Sequence, residues 1–161
     1  SLTRAIAKKL PKGYATKLPS GKRYGEALLT KTNIYAKLIQ DLLDSGIDIH
    51  YISNITGHGQ RKLMRARQNV TYFIEKVIKP REIFPFIQKH AGLTDHEMYQ
   101  TYNMGMDYAI FIPQKHMKKA LEVVKKNKFV GIDAGYVKKG ERQIIIEPLN
   151  ITFKGDRLDL R

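Results

Sequence analysis

The chain has no cysteine among its 161 residues. That absence excludes disulfide bonds, zinc sites built on thiolates and thiol nucleophiles. It is typical of proteins from a reducing compartment, and we expect a cytoplasmic location. The sequence also lacks an apolar run of the about 20 residues that a membrane helix requires, and it shows no secretory signal. We therefore expect no membrane partner.

Acidic residues are scarce, with 15 Asp and Glu against 29 Lys and Arg, and the formal net charge is +14. Such a balance favours anionic partners, which include nucleic acids, acidic protein surfaces and phosphorylated metabolites. The densest basic cluster consists of Arg61, Lys62, Arg65 and Arg67. A solvated, lysine-rich surface is the alternative interpretation of charges that are spread along a chain.

The length and composition indicate a single globular domain over residues 1–161. A hydrophobic fraction of 42% suits a folded chain, and a domain of this size buries about 70% of its unfolded surface. The five histidines show no regular spacing of metal ligands. No Ser/His/Asp set can be assembled either, so we predict no metal site and assign no catalytic residue.

Helical and strand patterns are interleaved along the chain, which favours an α/β (α+β) domain with a mixed sheet flanked by helices. A loop rich in Pro, Gly and Lys is expected over residues 14–24, and a Gly-containing hairpin turn over residues 138–141. The predicted helices cover residues 2–10, 28–45, 60–67, 81–90, 95–102 and 114–127, and the predicted strands cover residues 47–55, 70–77, 106–112, 129–137 and 142–149, followed by a short strand or tail over residues 151–161.

A capping box marks the start of the helix at residues 95–102. Thr94 precedes this helix and Glu97 follows three residues later, so the two side chains can satisfy the first amides of the helix reciprocally. Asn103 and Gly105 then come before the strand at residues 106–112. They either present an amide and bare backbone to a cleft or only turn the chain at a helix end. In the first case Asn103 serves a ligand and contributes little to the fold, whereas Glu97 serves the fold.

Residues 56–59 read Thr-Gly-His-Gly and lie between a predicted strand and the predicted helix at residues 60–67. Glycine permits close approach of the backbone to a ligand, and consecutive amides at a helix start can bind an anion. Arg61 and Arg65 lie about one turn apart on an α-helix, so they can hold the same anion. The alternative is an ordinary structural turn, which is the commoner role of such segments.

Three segments together resemble a known family. Residues 97–105, Glu-Met-Tyr-Gln-Thr-Tyr-Asn-Met-Gly, resemble the Glu-Met-Tyr-Arg-Thr-Phe-Asn-x-Gly signature of aminoimidazole ribonucleotide (AIR) synthases, also called phosphoribosylformylglycinamidine cyclo-ligases. Residues 55–59 are similar to that family's His-x-Thr-Gly-Gly-Gly loop, and residues 83–88 are similar to its helix before the signature. The order and spacing agree from about Glu26 to Glu147, and they correspond to the C-terminal domain of the enzyme.

The resemblance implies an α/β sandwich that is partly similar to the ferredoxin-like fold. It also implies an ATP-dependent ligase of purine biosynthesis, in which ATP activates an oxygen as a phosphate and an internal nitrogen closes a ring. Thr56, Gly57 and Gly59 would hold the phosphate of the substrate beside His58, and Asn103 and Gly105 would line the reacting end.

The same resemblance implies that ATP and Mg²⁺ belong to an N-terminal domain, supplied in cis or in trans. Nothing in this chain resembles that domain, and Ser1 corresponds to the start of a helix within the family's sequence. We therefore expect the isolated chain to be inactive and to meet a phosphorylated small molecule, the ATP-binding domain and possibly a second copy of itself.

Three residues depart from the family's motifs, with Asn54 in place of His, His58 in place of the middle Gly, and Gln100 in place of Arg. An asparagine does not carry a proton in acid–base catalysis, and Gln100 removes a fixed charge. A non-catalytic family member is therefore one alternative. A basic module that binds nucleic acid or protein is another, with Tyr14 and Tyr24 as the candidate stacking residues.

Overall fold

The computed structural model describes residues 2–155. Helices and strands alternate along these residues, which confirms the predicted α/β class. The α-helices are α1 Leu2–Lys9, α2 Tyr24–Leu28, α3 Ala36–Asp44, α4 Ile83–Ala91, α5 Asp95–Thr101 and α6 Met117–Lys126. The strands are β1 Tyr51–Asn54, β2 Val70–Ile74, β3 Tyr108–Phe111, β4 Gly135–Lys139, β5 Gln143–Ile146 and β6 Ile151–Lys154. Four 3₁₀ helices cover Gly13–Ala15, Gly59–Ala66, Gln114–His116 and Glu147–Leu149.

The strands form two sheets. The larger sheet is mixed and has the strand order β4-β2-β5-β6, in which β2 is antiparallel to β4 but parallel to β5. β6 returns antiparallel to β5 after a short connection. The smaller sheet pairs β1 with β3 antiparallel, so that Tyr51 lies opposite Phe111. The predicted last strand is confirmed over Ile151–Lys154, and residues 156–161 of the predicted tail lie outside the described residues.

The predicted hairpin between the fourth and fifth strands is wrong, because β2 lies between them. The connection at residues 140–142 passes around the end of β2 and binds it. The amide of Gly140 donates to the carbonyl of Asn69 at 3.1 Å, and the hydroxyl of Thr71 donates to the carbonyl of Glu141 at 2.9 Å. β4 therefore pairs with β2, which is distant in the sequence, and not with β5, the partner that the local turn pattern predicted.

The fourth strand is also shorter than the predicted strand of residues 129–137, and it begins at Gly135. The backbone there has a φ of 145°, and a Cβ atom would stand 2.0 Å from the carbonyl oxygen of Phe73. Only glycine fits this close approach between β4 and β2. The residues before it run along α6, where a Cβ at Gly131 would stand 3.1 Å from a methyl of Val124.

The helix predicted over residues 28–45 is wrong in its first half. α2 ends at Leu28, α3 begins only at Ala36, and the residues between them are not helical. Ile34 lies in the non-helical half and is 78% exposed. In the helical half, Leu38 and Leu42 are buried, and Gly46 follows at a φ of 71°.

Two hydrophobic clusters hold the elements together. The main cluster joins α1, α4 and α5 to the larger sheet, with Ile6, Met98 and Ile144 among its buried residues. A satellite cluster consists of Leu38, Leu42, Ile47 and Ala120, and it joins α3 to α6. No helix within residues 2–155 has the length and apolar character needed to cross a bilayer.

Candidate functional site

The capping box at α5 is confirmed. The amide of Thr94 donates to a carboxylate oxygen of Glu97 at 2.8 Å, and the amide of Glu97 donates to the hydroxyl of Thr94 at 3.3 Å. The hydroxyl of Thr94 also donates to the Glu97 carboxylate, at 2.9 Å, and the hydrogen bonds from the Thr94 amide and hydroxyl lower the pKa of that carboxyl. The capping box fixes the first residue of α5. The position of Asn103, which follows the C-terminal end of α5, depends on that start.

Asn103 and Gly105 form the turn from α5 into β3. The side-chain oxygen of Asn103 accepts from the amide of Gly105 at 3.1 Å, and its amide nitrogen donates to Asp107 at 2.7 Å. Met104 and Gly105 both have left-handed backbones, with φ of 52° and 90°. Asn103 therefore shapes this turn, and the hydrogen bonds favour a contribution to the fold beside any contact with a ligand.

Asp107 is the centre of a polar cluster that sequence reasoning missed. Besides Asn103, the hydroxyl of Tyr35 donates to Asp107 through a short hydrogen bond, and the side-chain amide of Asn33 donates to it at 3.3 Å. Burial, reinforced by the hydrogen bond to Asp107, raises the pKa of Tyr35 to about 12, so the phenol keeps its proton and remains a donor. The cluster attaches the non-helical segment before α3 to the α5–β3 turn. No local sequence signal connects residues 72 or 74 positions apart.

The loop of residues 56–59 is exposed except at its last residue. Gly59 is buried at a φ of 55°, and a Cβ there would stand 2.1 Å from the carbonyl oxygen of Tyr99. Gln60 is also buried, and its side chain donates to the carbonyl of Asn103 at 3.3 Å. The end of the loop is thus fixed against the end of α5. Thr56, Gly57 and His58 are exposed.

Lys62 contacts this loop, although the sequence pointed to its arginine neighbours. Its ammonium donates to the hydroxyl of Thr56 through a short hydrogen bond, and burial together with the charge of Arg65 lowers its pKa. The segment is a 3₁₀ helix with about three residues per turn, so Arg61 and Arg65 do not share a face as they would on an α-helix. The Nε of Arg61 is buried and has no hydrogen-bond partner among residues 2–155.

The two motifs meet at one cavity of about 660 Å³. Thr56 and Gly57 line it together with Asn103 and Gly105, whereas His58, Gly59, Arg61 and Arg65 do not. Further polar groups come from three directions, and an apolar wall comes from α2 and α4. The additional polar lining includes Lys31, Asn33, Asn54, Arg81 and Asp107, and the apolar lining includes Leu28, Ile83, Phe84 and Ile87.

A second cavity, of about 610 Å³, is lined by residues of both sheets and is mainly apolar. It shares Asp107 and Tyr35 with the first cavity, but neither Thr56 nor Asn103 lines it. We therefore place the candidate site in the first cavity. Within residues 2–155, no three His, Asp or Glu side chains converge as ligands of a metal ion.

No protein-family model matches the chain. Curated relatives do match it, and those named below are phosphoribosylformylglycinamidine cyclo-ligases from archaea. The enzyme of Methanocaldococcus jannaschii is 35% identical over 111 residues, which are 68% of this chain and 32% of the relative. The enzyme of Methanosarcina barkeri is 38% identical over 104 residues, or 65% of this chain and 30% of the relative. The enzyme of Methanopyrus kandleri is 30% identical over 128 residues, or 80% of this chain and 36% of the relative.

The chain contains an AIR synthase family domain. It spans about a third of the length of the curated relatives it matches. Of the residues in which this AIR synthase domain departs from the family's motifs, Asn54 lines the cavity and donates to the hydroxyl of Tyr108 at 3.1 Å. His58 is exposed and Gln100 is half-buried, and neither lines the cavity.

Proposed function

We propose that this AIR synthase domain forms the substrate-side wall of an ATP-dependent cyclo-ligase, as the C-terminal domain of that enzyme. The single observation that carries the proposal is that the Thr56–Gly57 half of one motif and the Asn103–Gly105 turn of the other line the same cavity. The motifs are separated by more than 40 residues in sequence, as the contact between Gln60 and Asn103 illustrates with a separation of 43. A shared cavity is what a common ligand requires.

The phosphate of the substrate would bind at Thr56 and Gly57. The hydroxyl of Thr56 accepts from the ammonium of Lys62, so its own proton remains available to donate to a phosphate oxygen. Lys62 adds a positive charge to that position, and Arg81 adds another from a different part of the cavity lining. Lys62 replaces Arg61 and Arg65 in the proposed phosphate site, because its ammonium contacts Thr56.

The reacting end would lie at Asn103 and Gly105, beside Asp107. Asn54 occupies the place of the family's histidine, and an amide side chain can orient a substrate by hydrogen bonds but does not transfer a proton at neutral pH. We assign ATP and Mg²⁺ to a separate domain supplied in cis or in trans, as the resemblance to the family implies.

Titration with sulfate or ribose 5-phosphate, followed by amide NMR signals, tests the phosphate site. We expect the signal of Gly57 to move because that residue lines the cavity, and the signal of the buried Gly59 to move less. Lys62→Gln should weaken the binding, whereas Arg65→Gln, a neighbouring change of the same charge, should leave it within about twofold. An unchanged affinity in Lys62→Gln would remove the phosphate site from this loop.

Activity requires a complete enzyme. The isolated chain should release no ADP from ATP, and contaminant-free ADP release by it would contradict the division of labour proposed above. A chimera in which this domain replaces the matching part of the Methanocaldococcus jannaschii enzyme tests the chemistry itself. Turnover by the chimera supports a catalytic domain, whereas substrate binding without turnover would assign it to the non-catalytic members of the family.

A further inference from the structure

The strand register gives the four-stranded sheet two different faces. Alternate residues of β2 and β5, such as Tyr72, Ile74 and Ile144, belong to the main hydrophobic cluster. The residues between them point to the opposite side, because successive side chains alternate across a strand. We name that side the outer face, and it consists of Tyr136 and Lys138 on β4, Thr71 and Phe73 on β2, Gln143 and Ile145 on β5, and Thr152 and Lys154 on β6.

The outer face carries aromatic rings beside lysines. The rings of Tyr136 and Phe73 stack across β4 and β2, with centroids 4.9 Å apart and planes inclined by 18°. The ammonium of Lys138 lies 5.1 Å from the centroid of Tyr136 and 5.9 Å from that of Phe73. Tyr136 is 41% exposed, and Lys138 is exposed on the same strand. Of the two stacking residues expected from the sequence, Tyr24 is fully buried, whereas Tyr14 is 50% exposed and lies outside this face.

The charges of the outer face favour a polyanion. Lys138 and Lys154 both belong to it and are exposed, and Lys139 is exposed at the end of β4. The side chain of Lys154 is 63% exposed and lies 3.8 Å from a carboxylate oxygen of Glu141, a weak solvated ion pair. At the other end of the strands, Glu75 follows β2 and Glu147 follows β5, so the favourable path is restricted to the end near Lys138.

A protein domain is a poorer fit to this face than a nucleic acid. Burying the face under protein would remove Lys138 and Lys154 from water, which is costly unless each gains a partner. A single-stranded nucleic acid would keep the lysines beside its phosphates and place its bases on the exposed ring of Tyr136. A duplex offers no unstacked base to that ring, so the aromatic part of the surface discriminates between the two.

We propose that the outer face binds single-stranded nucleic acid without sequence preference, through stacking of a base on Tyr136 and phosphate contacts from Lys138 and Lys154. This surface belongs to the four-stranded sheet and shares neither Thr56 nor Asn103 with the proposed substrate site. The inference is therefore independent of the proposed ligase function.

Fluorescence anisotropy with a labelled 12-nucleotide oligo(U) and with a duplex of the same length tests the proposal. We expect binding of the single strand to be weak, salt-dependent and tighter than that of the duplex. Tyr136→Ala should weaken it about tenfold, since stacking on one aromatic ring contributes about 1–3 kcal/mol per base and 1.4 kcal/mol is tenfold. Tyr136→Phe keeps the ring and should bind as the unaltered chain does.

The lysine contact has its own signature. Lys138→Gln should lower the slope of log affinity against log salt concentration by about 0.7, the value for one phosphate contact on a single strand. Lys118→Gln is a matched control, because Lys118 is an exposed lysine on α6. Thermal melting checks that every variant is folded.

Three results would overturn the proposal. The first is equal affinity for single strand and duplex, and the second is an equal loss in Lys118→Gln, which would mean that only the net charge acts. The third is unchanged oligonucleotide binding in Tyr136→Ala and Lys138→Gln together with loss of their binding to a purified cyclo-ligase N-terminal domain. The outer face would then be a protein-docking surface.

Discussion

Two glycines on either side of His58 offer the sharpest test of the site's architecture. Replacing Gly59 by alanine places a Cβ atom 2.1 Å from the carbonyl oxygen of Tyr99 and 2.8 Å from that of Tyr102. Both neighbours are backbone atoms at the end of α5, so a side-chain rotation does not relieve the contact. The same replacement at Gly57 meets no atom within 4 Å. The same substitution at the two positions therefore distinguishes a glycine that is needed for packing, Gly59, from a glycine that lines the cavity, Gly57.

The expected magnitudes differ clearly. A non-glycine residue in the left-handed region costs about 1–2 kcal/mol, and Gly59 has a φ of 55°. Overpacking against fixed neighbours adds about 1–3 kcal/mol. Gly59→Ala should thus lower the free energy of unfolding by about 2–5 kcal/mol, with a fall in Tm of about 2–4 °C for each kcal/mol. Gly57→Ala should stay within about 0.5 kcal/mol of the unaltered chain.

Urea denaturation monitored by circular dichroism measures both changes, and sulfate titration measures what they do to the cavity. Gly57→Ala should keep its stability but bind the anion more weakly, because its new methyl group occupies the cavity lining. Gly59→Ala should lose stability in every condition. Equal stabilities of the two variants, or a destabilised Gly57→Ala beside an unaffected Gly59→Ala, would refute the packing role of Gly59.

Three further predictions follow from the hydrogen bonds around α5. The pKa of Glu97 is lowered in the folded chain. The ionised carboxylate therefore stabilises the fold above the ordinary pKa of 4.5, and this stabilisation is lost as the pH falls through the lowered pKa. Glu97→Gln should lack this pH-dependent loss of stability in acid denaturation. The pKa of Tyr35 is raised to about 12, so its contribution is full below 10.0 and is lost as the pH rises towards 12; absorbance titration at alkaline pH, compared with Tyr35→Phe, should show one late tyrosine fewer, and an unchanged curve would contradict the contact with Asp107. Asn103→Ala should cost about 1–3 kcal/mol in urea denaturation because it removes the donor to one carboxylate oxygen of Asp107 and the acceptor for the amide of Gly105, and a loss below about 0.5 kcal/mol would show that the turn forms without it.

The features that the sequence predicted correctly depend on neighbours in the chain. The capping box of Thr94 and Glu97 joins residues three positions apart, so the sequence pattern alone predicts it. The helical patterns that cover α3 and α6 are local in the same way. The signature residues 97–105 and the loop at residues 55–59 identified the family, which the cyclo-ligase relatives support. Predicted contacts of the site residues with a ligand stay predictions.

Tertiary structure decided the features that depend on distant partners. β2 displaced the predicted hairpin because its backbone groups pair with β4 and β5 across many intervening residues. Asn33 and Tyr35 lie within the helix predicted over residues 28–45 but precede α3 in the structure. Both donate hydrogen bonds to Asp107, which is more than 70 positions away.

The site itself divides in the same way. The sequence presented Gly57 and Gly59 as equivalent and favoured arginines over Lys62, but the packing of α5 against the loop buried one glycine and left the other in the cavity. Residue types and spacing along the chain determine which local structures and motifs form. Which face of a motif remains accessible is decided by the backbone atoms that fold against it, and these lie too far along the chain for a local pattern to reveal.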